Sequence, residues 1–202
     1  MKVKVIILAA GKGKRFASMK PKVLASFGGT TMVERVLSAV EQAGVTDRPI
    51  VVVGVGADKV KNLLGDRCDY VFQERQLGTG HAVACCLDIL QNKADAVLIL
   101  YGDHPMISAT TIRKIVEEHK RIRPKLTMAV IDVYDFGMGR KQFSNFGRIV
   151  CDTKGNLLRV VEVKDATEAE LKIYKVNPSY LCFAADWLWN NITKLENKNI
   201  QG

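Results

Sequence analysis

Apolar positions along this chain switch repeatedly between strand-like runs and helix-like spacing. Val3 to Leu8, interrupted only by Lys4, reads as a buried strand. Met32, Val33, Val36, Leu37 and Val40 share one helical face, with Thr30 or Thr31 placed to cap its start and Gly44 after its end. Ile50 to Val55, all Ile or Val except Gly54, reads as a second buried strand. A helix near Ala57–Leu64 and a short strand around Tyr70–Gln73 follow. Gly78-Thr79-Gly80 opens a further helix that carries Ala82, Val83, Cys86, Leu87 and Leu90. Ala96 to Tyr101 is a strand ending at Gly102-Asp103, and Thr110–Arg123 is a helix with Ile112, Ile115, Val116, His119 and Ile122 inward. Leu126–Tyr134 returns as a strand, and Asp135–Asn145 is a loop. Beyond it, Arg148–Asp152 and Leu157–Val163 form a hairpin about the turn Thr153-Lys154-Gly155-Asn156. A short helix at Ala166–Leu171, a strand over Lys172–Ala184 and a last helix capped by Asp186 complete the pattern.

This alternation predicts an α/β fold: Rossmann-like, with a mostly parallel sheet, helices on both faces, and a β-hairpin subregion towards the carboxyl end. Ligands of such sheets sit outside the carboxyl ends of the strands. The loops after Leu8, Gln73 and Tyr101 all follow strands, so they are expected to gather on one edge.

Composition narrows the classes. The 202 residues suffice for one domain with a substantial core. No apolar run reaches the roughly 18 residues of a membrane span, and Val3–Ala10 is too short and too interrupted for a signal-peptide core. The five cysteines form no Cys-x-x-Cys pair, which favours reduced core thiols in the cytoplasm over a disulfide framework or a zinc site. The formal net charge is +9. Nucleic acid is one reading of that charge, but there is no long basic run and no aromatic-rich basic strand. Lys2, Lys4, Lys12, Lys14, Arg15, Lys20 and Lys22 instead crowd the first 22 positions, and no Asp or Glu precedes Glu34. A local anionic ligand fits that concentration better.

Gly11-Lys12-Gly13-Lys14-Arg15 follows the first strand directly. Its glycines let backbone amides approach a polyphosphate, and its cations neutralise one. It lacks the third glycine of the dinucleotide fingerprint and the spacing of a Walker loop. Asp103, at the end of a buried strand, offers a hard oxygen suited to Mg²⁺ beside phosphate, or else merely caps a turn. Gln73 and Gln76 offer amides that both donate and accept, as a nucleobase edge requires.

Leu8-Ala9-Ala10-Gly-x-Gly-x-Arg, Pro21-Lys22-Val23-Leu24, Gln76-Leu77-Gly78-Thr79-Gly80-His81-Ala82, Tyr101-Gly102-Asp103-x-Pro105, Phe146-Gly147-Arg148-Ile149 and Val161-Glu162-x-Lys164-Asp165-Ala166-Thr167 occur in this order. Together they resemble the sugar nucleotidyltransferases, and within them the uridyltransferase domains that act on N-acetylglucosamine 1-phosphate. The resemblance implies the nucleotide-diphospho-sugar transferase fold and a role in sugar nucleotide biosynthesis for the cell envelope. It implies UTP and a sugar 1-phosphate as partners and Mg²⁺ as cofactor, with neither nucleic acid nor membrane. Arg15 and Lys22 are the implied catalytic cations, on the β/γ- and α-phosphates respectively. Leu8, Ala10, Gly11, Gly13, Lys22, Gln73, Gln76, Gly78 and Thr79 would bind the nucleotide. Tyr101, Gly147, Glu162 and Asn177 would line the sugar-phosphate pocket, and Asp103 would hold the metal.

Two departures stand out. Asn177-Pro178-Ser179 replaces the family's Asn-Thr-Gly, which weakens any statement about the sugar. The family's domain also continues past a Gln-Gly like Gln201-Gly202 and takes a second metal ligand, an asparagine, from there. The expectation is therefore one nucleotidyltransferase domain over 1–202, cut short at its carboxyl end and without the family's left-handed β-helix domain. The alternatives are a transferase for another sugar or polyol phosphate, and a non-catalytic nucleotide- or sugar-nucleotide-binding module.

Overall fold

In the computed structural model, which describes residues 1–11, 21–137 and 139–195, the strands and helices appear in the predicted alternation. In chain order they are β1 (Val3–Leu8), β2 (Ser26–Phe27), β3 (Thr30–Thr31), α1 (Met32–Ala43), β4 (Ile50–Val53), α2 (Ala57–Leu64), β5 (Asp69–Phe72), α3 (Thr79–Ala84) and α4 (Leu87–Leu90). There follow β6 (Ala96–Tyr101), α5 (Ala109–Ile122), β7 (Leu126–Met128), β8 (Ile131–Asp132), β9 (Arg148–Cys151), β10 (Leu157–Val161), α6 (Glu168–Leu171), β11 (Lys175–Val176), β12 (Leu181–Ala184) and α7 (Ala185–Ile192).

The chain divides into two compact units. One takes in Met1–Thr127 and the described residues from Leu181 onward; the other is Met128–Tyr180.

The first unit is built on a six-stranded sheet of order β5-β4-β1-β6-β12-β7. β5, β4, β1 and β6 run parallel, while β12 pairs with β6 antiparallel. The central parallel strands are apolar on both faces and buried almost throughout. Ile6, Leu8, Ile50, Val52, Val97 and Ile99 face a core closed by Ala82, Val83 and Cys86 near α3, by Leu90 of α4, and by Leu188 and Trp189 of α7. Helices α1 and α5 pack together and supply the buried Val33, Val36, Leu37, Val40, Ile112, Ile115 and Val116. The start of α1 is a capping box: the Thr31 hydroxyl accepts from Glu34 N, and the Glu34 carboxylate accepts from Thr31 N. Gly44 ends it in the left-handed conformation.

The second unit holds a four-stranded sheet of order β10-β9-β11-β8, with β9 and β10 as the predicted antiparallel hairpin. Arg148 is buried there, with no ion pair to a carboxylate among the described residues. Its guanidinium donates to the carbonyls of Ser144, Phe146 and Leu171 and lies 4.6 Å over the Phe136 ring. Burial pushes its pKa below the usual arginine value.

Five expectations need correction. Ile122, expected on the inner face of α5, is exposed at the helix's last residue. The strand over Leu126–Tyr134 is two, β7 and β8, in different sheets. The strand over Lys172–Ala184 is likewise two, β11 and β12; Pro178, which has no N–H, and Ser179 at φ 64° interrupt the ladder. The helix opened by Gly78 breaks at Cys85-Cys86 into α3 and α4. Helix α7 starts one residue before Asp186, which sits in its first turn rather than capping it. All five cysteines are free, and burial pushes the Cys86 and Cys182 thiols up to about 12. No helix among the described residues is long and apolar enough to cross a membrane.

Candidate functional site

Parallel pairing puts the carboxyl ends of four strands side by side. Leu8 is in register with Val52 on one side and Tyr101 on the other, and Val53 is in register with Phe72. The loops that follow therefore share one sheet edge, as the alternation predicts. Ala9 N donates to the Val52 carbonyl, Gly102 N to that of Leu8, and Gln73 N to that of Val53.

Glycines bring these loops close enough to form one surface. A Cβ on Gly54 would fall 2.7 Å from Gln76 Nε2 and 2.8 Å from the Ala10 carbonyl oxygen. A Cβ on Gly102 would fall 3.1 Å from the Leu8 carbonyl oxygen and 3.3 Å from Val23 Cγ1. Because Gly102 has none, Val23 packs in a 3-10 turn (Lys22–Leu24) against the end of β6. Lys22 is thereby carried to Asp103: Nζ lies 2.7 Å from Oδ2. His104 stacks on Tyr101 with ring centroids 5.1 Å apart. Burial lowers its pKa against the opposing pull of Asp103, so His104 is neutral near pH 7.

The β5–α3 loop is held from within. Gln73 is buried, and its Nε2 lies 3.0 Å from both the Gly78 carbonyl and His81 Nδ1. Gln76 Nε2 donates to the Gln73 carbonyl. Gly78 sits at φ 97°, a conformation that disfavours any side chain, and leaves Thr79 exposed at the start of α3. Leu8, Thr79 and Tyr101 also share the lining of a mainly apolar cavity of about 240 Å³ with Phe183, Trp187 and Asn191. The sequence pattern gave no sign of this cavity, because its far wall comes from β12 and α7.

In the second unit, Gly147, Glu162 and Asn177 come together at neighbouring strand ends. Arg148 of β9 is in register with both Val161 of β10 and Val176 of β11. Asn177 N donates to the Gly147 carbonyl at 2.9 Å. A Cβ on Gly147 would fall 3.1 Å from Glu162 Oε1. The Asn177 side-chain oxygen accepts from Ser179 N, so Pro178-Ser179 forms a local turn that holds the asparagine.

Of the residues singled out in the sequence, Leu8, Ala10, Gly11, Lys22, Gln73, Gln76, Gly78, Thr79, Tyr101 and Asp103 belong to the first unit. Gly147, Glu162 and Asn177 belong to the second. Gly13 and Arg15 lie outside the described residues. Among the described residues no group of three or more His, Cys, Asp or Glu is placed to hold a metal ion. Asp103 is a half-buried carboxylate with a cation beside it. That fits Mg²⁺ carried mainly by substrate phosphates, which needs only one or two protein carboxylates.

A parallel sheet with cation, carboxylate and amide loops along its carboxyl edge is a nucleotide-handling arrangement, and comparison with known proteins agrees. Residues 5–188 match the family model described as MobA-like NTP transferase domain, and the chain belongs to that family. It is 37% identical over 197 residues to the bifunctional protein GlmU of Caldicellulosiruptor saccharolyticus, covering 97% of this chain and 41% of that protein. It is 40% identical to the GlmU of an Exiguobacterium species, covering 98% of this chain and 42% of that protein. The chain thus spans about two fifths of the length of these relatives. A Bacillus anthracis structure assigned as a glucose-1-phosphate thymidylyltransferase superposes with a TM-score of 0.78 at 21% identity, over 96% of this chain and 76% of that one. The last comparison establishes the fold.

Proposed function

We propose that this chain transfers a uridylyl group from UTP to N-acetylglucosamine 1-phosphate, giving UDP-N-acetylglucosamine and pyrophosphate. The observation that carries the reading is the Lys22–Asp103 pair, held at the shared carboxyl edge of β1, β4, β5 and β6 in a chain of the NTP transferase family. The choice of UTP and of the sugar is supported by the motif resemblance around Gln76–Ala82 and Glu162–Thr167.

The chemistry asks little of the protein covalently. A phosphate oxygen of the sugar 1-phosphate attacks the α-phosphorus of UTP in line; the bond from that phosphorus to the bridging oxygen breaks, and pyrophosphate leaves. The nucleophile is already an anion, so no protein base or nucleophile is required. What is required is alignment of two mutually repelling anions and stabilisation of charge on the α-phosphate. Lys22 supplies a cation there, and Arg15 is assigned to the β- and γ-phosphates. Bound Mg²⁺ would add charge neutralisation, held by Asp103 and the phosphates. Gln73 and Gln76 lie beside the base, and Gly78 and Thr79 beside the nucleoside. Tyr101, Gly147, Glu162 and Asn177 are assigned to the sugar phosphate, with the Glu162 carboxylate accepting from its hydroxyl or amide N–H groups.

The test is pyrophosphate release with Mg²⁺ across a matrix of nucleoside triphosphates and sugar 1-phosphates. The UTP and N-acetylglucosamine 1-phosphate pair is expected to exceed every other pair. UTP binding without release from any pair would replace the enzyme with a nucleotide-binding module.

A further inference from the structure

The Gln73 amide is held in one orientation, and that orientation has a consequence for base choice. The Gly78 carbonyl can only accept a hydrogen bond, so the amide nitrogen, not the oxygen, must face it at 3.0 Å. That nitrogen is also 3.0 Å from His81 Nδ1. Its second N–H can bond there only if Nδ1 carries no proton, which places the imidazole hydrogen on Nε2. The Cys85 thiol lies 3.9 Å from the same Nδ1 and, with its pKa raised by burial, can donate to it in that same tautomer. Both amide protons of Gln73 are then engaged within the protein. Its Oε1 makes no hydrogen bond among the described residues, and it is not one of the polar atoms sealed in the interior without a partner.

We infer that His81 is a positioning residue for base selection: it locks the Gln73 amide so that only the carbonyl oxygen is offered to the base. An acceptor fits the N3–H of a uracil or thymine ring. It opposes the N3 lone pair of cytosine. Flipping the amide to suit cytosine would set Oε1 against the Gly78 carbonyl and, with the imidazole proton on Nε2, against the His81 lone pair as well; relieving the second contact would require the imidazole to change tautomer. The lock is local to residues 73–81: Gln73 opens the β5–α3 loop, Gly78 closes it, and His81 stands in the first turn of α3. This inference rests on the proposed uridylyl-transfer reading, because it takes the base to lie beside Gln73.

Two measurements test it. The first is the ratio of UTP to CTP affinity by calorimetry, which needs no turnover. The wild-type chain is expected to prefer UTP by tenfold or more. His81→Leu is expected to lose most of that ratio, and His81→Asn, whose Oδ1 can stand where Nδ1 stood, to restore it to within about threefold. Equal affinities in the wild type, an unchanged ratio in His81→Leu, or equal loss in both variants would overturn the inference. The second uses the unaltered chain, so it survives a variant that does not fold. Long-range ¹H–¹⁵N correlation spectra are expected to show His81 protonated at Nε2 and bare at Nδ1; a proton on Nδ1 near pH 8 would overturn the lock. A chain that prefers UTP but releases no pyrophosphate with any sugar phosphate would instead remove the proposed function and leave base selection standing.

Discussion

Lys22 Nζ and Asp103 Oδ2 stand 2.7 Å apart although 81 positions separate them in the chain. The pair exists because Gly102 lets Val23 pack against the end of β6, which brings the Lys22–Leu24 turn to the Asp103 loop. Both side chains keep partial exposure, 39% for Lys22 and 26% for Asp103, so the pair contributes little to stability and remains open to a ligand. Replacing either side chain should therefore cost function far more than folding. Asp103→Asn and Lys22→Ala are each expected to lower kcat by about 10²–10³-fold, the scale of losing one preorganised electrostatic group. Thermal midpoints should stay within a few degrees of wild type. Asp103→Asn should also raise the Mg²⁺ concentration needed for half-maximal rate. Initial rates over a Mg²⁺ series with parallel melts read all three, and an unchanged kcat in Asp103→Asn would remove the metal assignment.

Gly54 is a packing requirement of the nucleotide edge. Its missing Cβ makes room for both Gln76 Nε2 and the Ala10 carbonyl. Because the carbonyl belongs to the backbone after β1, it cannot step aside easily. Gly54→Ala is expected to cost about 1–3 kcal/mol in urea unfolding, the scale of an overpacked core. It should also weaken UTP binding, through displacement of Ala10 and Gln76. Full stability with normal UTP affinity would show that the loops are not in contact as described.

The second unit makes a separable prediction. Gly147→Ala would set a methyl 3.1 Å from Glu162 Oε1 and 3.0 Å from Val160 Cγ1. If Glu162 binds the sugar phosphate, KM for N-acetylglucosamine 1-phosphate should rise about tenfold or more, the factor for about 1.4 kcal/mol, while the Kd for UTP stays unchanged. Glu162→Gln should act in the same direction. Steady-state kinetics with each substrate varied, plus UTP calorimetry, separates the two; a rise confined to UTP would contradict the assignment.

His119 gives the stability a pH dependence. It is buried on the inner face of α5 with Nδ1 3.0 Å from Thr127 Oγ1, and its Nε2 is sealed without a hydrogen-bond partner among the described residues. Burial lowers its pKa below the ordinary histidine value. Below about pH 6.5 the unfolded chain takes up a proton that the folded chain does not. Stability is therefore flat above that pH and falls beneath it, by at most about 1.4 kcal/mol per pH unit for each such group. His104, also lowered by burial, adds a share of the same sign. Urea midpoints from pH 8 to 5 should slope less in His119→Leu than in wild type, even if its stability at pH 8 is lower. An identical slope would show that His119 titrates normally.

The first unit was largely legible because its signals are local. The near-continuous apolar runs of β1, β4 and β6, the Thr31–Glu34 capping box and the Gly44 stop each specify their element within a few residues. What the sequence concealed depends on distant groups. Lys22 and Asp103 were both recognisable, but their pairing follows from the Gly102–Val23 contact. The burial of Arg148 has no local signal, because it depends on the carbonyls of Ser144, Phe146 and Leu171 converging on its guanidinium. The split of Lys172–Ala184 was foreshadowed only by Pro178. Gln73 was readable as a base-facing amide, whereas the commitment of its two N–H groups to Gly78 and His81 needed coordinates.

The central claim is uridylyl transfer without a protein nucleophile, and product identification by ³¹P NMR tests it most directly. With UTP, N-acetylglucosamine 1-phosphate and Mg²⁺, the diphosphate signals of UDP-N-acetylglucosamine should grow in step with free pyrophosphate, one for one, as both substrates disappear. Release of UMP, growth of UDP with orthophosphate, or a UTP spectrum that does not change would contradict it.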